Sequence, residues 1–73
     1  MEDDLFKHFQ MKGMLNGLTE SQVDKFRFAC KKAVAENPGL VFNGLLKACA
    51  IYLGFIREFP DCDLGDIKLP EQP

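Results

Sequence analysis

Tryptophan is missing, histidine occurs once and cysteine occurs an odd number of times in this 73-residue chain. Each shortage narrows what the protein does. With His8 as the sole imidazole, a nucleophile activated by a histidine that a third group orients has one place to be built, inside the first expected helix. Ser21 falls near a helix N-terminus, and Cys30 falls on an apolar face where a thiol is inert. The six glycines, Gly13, Gly17, Gly39, Gly44, Gly54 and Gly65, stand singly, so there is no glycine-rich loop to cradle a phosphate. No enzyme activity and no cofactor are expected.

Three cysteines, Cys30, Cys49 and Cys62, do not close a disulfide framework. Together with His8 they lack the short pair spacings of a structural zinc site. Asp61, Asp63 and Asp66 resemble a calcium loop only at first sight. Counted from Asp61, glycine falls fifth, at Gly65, and the twelfth residue is Gln72, whereas the EF-hand loop needs glycine sixth and glutamate twelfth. No metal is expected. Cys30 and Cys49 read instead as small buried hydrophobes, which suits a reducing compartment. Glu2, Asp3 and Asp4 near the start do not make the basic-then-apolar order of a secretory signal, so a cytoplasmic location is expected. The most apolar run, residues 40–56, is interrupted by Asn43 and Lys47, so no membrane span is expected.

The net charge is only −2 and the isoelectric point about 5.2, which places the chain outside the strongly basic class that binds phosphates non-specifically. What is plentiful is apolar surface: 47% of residues are hydrophobic, seven of them Phe. At this length the core only just offsets chain entropy, and such chains often gain stability from a partner.

The pattern is helical throughout, and the chain is expected to be an all-α, three-helix domain over residues 1–59 with an extended acidic tail over 60–73. A first helix, about 4–15, carries Leu5, Phe6 and Phe9 on one side, with Asp3 and Asp4 at its positive end and Gly17 as its left-handed stop. Thr19-Glu20-Ser21-Gln22 is a capping box that starts a second helix, about 20–35, with Leu18 and Val23 placed as a hydrophobic staple. Val23, Phe26, Cys30, Ala33 and Val34 share its apolar face. A third helix, about 38–58, follows, with Asn37 as its cap and Pro38 at its first position. Asn43-Gly44 is a turn signal as well, and marks a place where this helix could break.

Two surfaces stand out. On helix 2, Phe28 lies away from the apolar face among Lys25, Lys31 and Lys32, with Arg27 on the same two turns. An aromatic ringed by cations suits either an acidic protein partner or the base and phosphates of a nucleic acid. Glu20 and Asp24 at the N-terminal turn oppose a recognition-helix reading, so a protein partner is the first expectation and nucleic acid the second. A buried Phe28 with solvated lysines is the plain alternative. On helix 3, apolar residues cover most of the circumference, more than two short helices can cover. Leu45, Cys49, Tyr52, Leu53 and Ile56 are therefore expected to carry self-association, as a homodimer. In the tail, Leu64, Ile67 and Leu69 offer another cover. From Glu58 onward five acids stand against Lys68 alone, a solvated segment or one that answers the lysines of helix 2. The function expected is a small protein–protein interaction module acting as adaptor, regulator or inhibitor.

Overall fold

The computed structural model describes residues 2–61, and within them the chain forms three α-helices: α1 (Glu2–Met11), α2 (Glu20–Glu36) and α3 (Phe42–Glu58). The expected tail, with Cys62, Leu64, Ile67 and Leu69, lies outside the described residues from position 62 on.

α1 begins with Glu2, Asp3 and Asp4 in its first turn, where carboxylates meet the unpaired N–H groups of the helix start. It ends earlier than Asn16-Gly17 suggested, because Gly13 makes the stop. Gly13 has φ +74°, its N–H donates to the Gln10 carbonyl at 3.1 Å, and the Met14 N–H donates to the Phe9 carbonyl at 3.0 Å. That pair of bonds is the Schellman closure, and it requires a left-handed residue where only glycine is unstrained. Gly17, φ +85°, serves the next turn, in which the Leu18 N–H donates to the Leu15 carbonyl. The α1–α2 connection is held from a distance by Arg57, whose guanidinium donates to the carbonyls of Met14 and Asn16.

α2 starts as its capping box dictates. The Gln22 N–H donates to Thr19 Oγ1 at 3.2 Å, and the Thr19 N–H donates to Gln22 Oε1 at 2.8 Å. Asn37 closes α2 rather than opening α3: its backbone N–H and its Nδ2 both donate to the Ala33 carbonyl, at 3.1 and 2.9 Å. Its side chain turns back onto α2, and α3 has no side-chain cap. Pro38 and Gly39 form the turn, and α3 starts four residues later than expected, with extended Val41 as its N-cap. α3 runs unbroken through Gly44. A Cβ at Gly44 would sit 3.2 Å from Leu40 Cδ2, so the glycine there admits the incoming chain instead of ending the helix.

The core is one cluster drawn from all three helices. α1 supplies Leu5, Phe6 and Phe9; α2 supplies Phe26, Ala29, Cys30 and Ala33; α3 supplies Leu45, Ala48, Cys49, Tyr52, Leu53 and Ile56. Phe26 is the hub between α1 and α2, edge-on to Phe9 at 5.0 Å between ring centroids and tilted against Phe6 at 6.1 Å. Alanines and cysteines at the α2–α3 seam allow close approach, and the Cys30 and Cys49 thiols there are free, buried and hydrogen-bonded to each other.

This core corrects the self-association expectation. Leu45, Cys49, Tyr52, Leu53 and Ile56 are at most 4% exposed, covered by the chain's own α1 and α2. Three phenylalanines, Phe6, Phe9 and Phe26, supply more cover than helix length alone suggested. The apolar residues that α3 leaves uncovered lie elsewhere: Phe42, Phe55 and, just past its end, Phe59.

Candidate functional site

The basic-aromatic face of α2 is placed by its heptad-like spacing. Burying Phe26, Ala29, Cys30 and Ala33 turns Asp24, Phe28, Lys31 and Ala35 outward, three and four residues apart. Phe28 is 57% exposed, so it is not part of the core. Lys31 is exposed beside it.

The other cations of the expected site are tied into the fold. Lys25 donates to the Pro60 carbonyl, drawing the chain after α3 against α2. Arg27 lies on the α1 side, its guanidinium 4.2 Å above the Phe6 ring centroid, a cation–π contact that lids the edge of the core. Lys32 pairs with Glu36 one turn on. The structure thus gathers Phe28, Lys31 and Lys32 on one face, turns Lys25 toward the α3 end and Arg27 toward α1. Asp24, one turn before Phe28, places a negative charge inside the same face.

A second surface lies on α3, where the small residues Ala50 and Gly54 stand four apart. Ala50, Ile51, Gly54, Phe55 and Glu58 line a hollow of about 220 Å3 on the outer side of α3. Phe55 and Phe59 lean together beside it, ring centroids 6.3 Å apart. The greasy circumference of helix 3 was the available signal. Which arc of it stays open depends on how α1 and α2 dock.

The chemistry-bearing groups are otherwise set into structure. His8 packs edge-on against Phe42, ring centroids 6.3 Å apart. No group of three His, Cys, Asp or Glu side chains placed to hold a metal ion occurs among the described residues. The Cys30 thiol is pushed well up, first by its hydrogen bond to Cys49 and then by burial, which keeps it protonated and unreactive. Tyr52, fully buried, has a hydroxyl without a hydrogen-bond partner among the described residues. Burial, aided by the nearby Glu36 charge, pushes its ionisation above the ordinary tyrosine range. No helix of the described residues is long and apolar enough to cross a membrane. The chain matches no protein-family description, no curated protein and no solved structure.

Proposed function

We propose that this protein acts by binding rather than by catalysis: a small interaction module, working as adaptor, regulator or inhibitor, that meets a protein partner with the α2 face around Phe28 and self-associates through α3. The observation that carries the reading is the exposure of Phe28, at 57% the most exposed phenylalanine among the described residues, on a helix whose other phenylalanine, Phe26, is fully buried. Aromatic side chains framed by polar and charged groups are where interfaces concentrate their binding energy. Lys31, exposed beside Phe28, favours a partner with an acidic group at the rim of an apolar pocket. Two free, buried thiols fit a reducing, cytoplasmic setting.

The nucleic-acid reading ranks second. Along α2, Lys25, Arg27, Lys31 and Lys32 are set against Glu20, Asp24 and Glu36, and Glu36 holds Lys32. That leaves α2 an excess of one positive charge, whereas phosphate binding calls for a clear surplus of unpaired cations.

Photo-crosslinking separates the readings. A photoreactive aromatic replaces Phe28, and a control replaces the exposed Ser21 on the same helix. A discrete protein adduct specific to position 28, persisting at high salt, is expected. Adducts to nucleic acid that vanish steeply with salt move the second reading ahead. Equal yields at positions 28 and 21 remove both.

A further inference from the structure

The outer side of α3 is a stripe whose pattern fits itself. Asn43, Lys47, Ala50, Gly54 and Glu58 follow one another at three- and four-residue steps and are all exposed. Ile51 and Phe55 flank them, and the hollow lies between. A Cβ on Gly54 would meet nothing within 4 Å, so the floor of the hollow is open to an incoming side chain. Lys47 and Glu58, at the two ends, have no ion-pair partner among the described residues.

We propose that this stripe is the seam of a homodimer, in which the α3 helices of two copies lie antiparallel about a two-fold axis passing level with Tyr52 and Leu53. The inference rests on the self-association reading above and names where and how it occurs. A two-fold at that level sets Lys47 opposite the second copy's Glu58, Phe55 opposite its Ala50, and Ile51 opposite its Gly54. Every large side chain meets a small one and every charge meets its opposite, twice over. A parallel pairing does the reverse, setting Lys47 against Lys47, Glu58 against Glu58 and Phe55 against Phe55. Self-complementarity of one patch is the requirement of a two-fold interface. The two charged pairs sit about 16 Å apart along the seam, at a rise of about 1.5 Å per residue. Three helical turns make an interface at the small end of the range, where association is transient, so the dimer is concentration-dependent.

The test is sedimentation equilibrium of the full chain at low ionic strength, where surface charges are least screened. Lys47→Glu and Glu58→Lys are each expected to weaken self-association roughly tenfold, since each replaces two attractive pairs with two repulsive ones. Both positions are exposed, so the helical circular dichroism of each variant stays that of the parent. An equimolar mixture of the two variants is expected to associate about as well as the parent, because the mixed dimer restores opposite charges at both ends. The double variant Lys47→Glu/Glu58→Lys is expected to do the same alone. A dimer that ignores both single changes overturns this seam and leaves self-association standing through another surface. A monomer at every concentration overturns both.

Discussion

Gln22 ties the start of α2 to the end of α3: its Nε2 donates to the Ile56 carbonyl at 3.2 Å while its Oε1 accepts from the Thr19 N–H at 2.8 Å. One amide thus completes a local cap and a contact 34 residues away in sequence. The two roles use different atoms, so they separate by substitution. Gln22→Glu keeps the acceptor for Thr19 and loses the donor for Ile56; Gln22→Ala loses both. Urea denaturation should rank the parent above Gln22→Glu and Gln22→Ala last, with a total loss of about 1–2 kcal/mol. Equal stability of Gln22→Glu and the parent would show that the link to α3 contributes nothing.

Tyr52 is the only tyrosine and there is no tryptophan, so phenolate absorption reports this one buried hydroxyl. Its ionisation is raised in the folded state, by burial first and then by the Glu36 charge. For groups shifted upward, the folded chain holds protons that the unfolded chain has released. Stability is therefore full below the ordinary phenol range and falls as pH climbs through it, from about 10 upward. Phenolate absorption should appear together with loss of helical circular dichroism, not before it. An early, separate tyrosine titration in folded protein would contradict the burial.

The hydroxyl of Tyr52 has no hydrogen-bond partner among the described residues, so it is desolvated without return. Tyr52→Phe keeps the ring and removes the oxygen. It is expected to raise stability by about 1 kcal/mol in thermal unfolding. A loss of that size would mean the oxygen is bonded.

Phe26 and Phe28 are two residues apart and opposite in consequence. Phe26 is fully buried, and Phe26→Ala should cost about 3–5 kcal/mol, enough to unfold much of a domain this small. Phe28→Ala should change stability by no more than about 0.5 kcal/mol. Unfolding of the Phe28 variant would assign that ring to the core and withdraw the α2 face as a binding surface.

Glycines offer a matched pair as well. Gly13, at φ +74°, should lose about 1–2 kcal/mol on change to Ala, with the new methyl 3.3 Å from Asn16 Nδ2 as a further constraint. Gly54 lies inside α3 with open space around it, so Gly54→Ala should gain about 0.5–1 kcal/mol from helix propensity alone. Thermal unfolding of both variants at low protein concentration checks the sign.

Features that depend on near neighbours are legible in the order of residues alone. Thr19 and Gln22 are three residues apart, so the capping box and the start of α2 could be read directly. The spacing of Phe26, Cys30 and Ala33 placed Phe28 on the outside of the helix. Features that depend on distant partners are set by how the helices dock. The turn that follows Gly13 is held from α3, by the Arg57 guanidinium on the Met14 and Asn16 carbonyls. Asn43-Gly44 stays helical because Leu40 packs into the space the glycine leaves. The apolar arc of α3 left open is Ile51–Phe55 and not Leu45–Ile56. A helix apolar around its circumference can bury any arc, and the docking of Phe6, Phe9 and Phe26 selects the one that disappears.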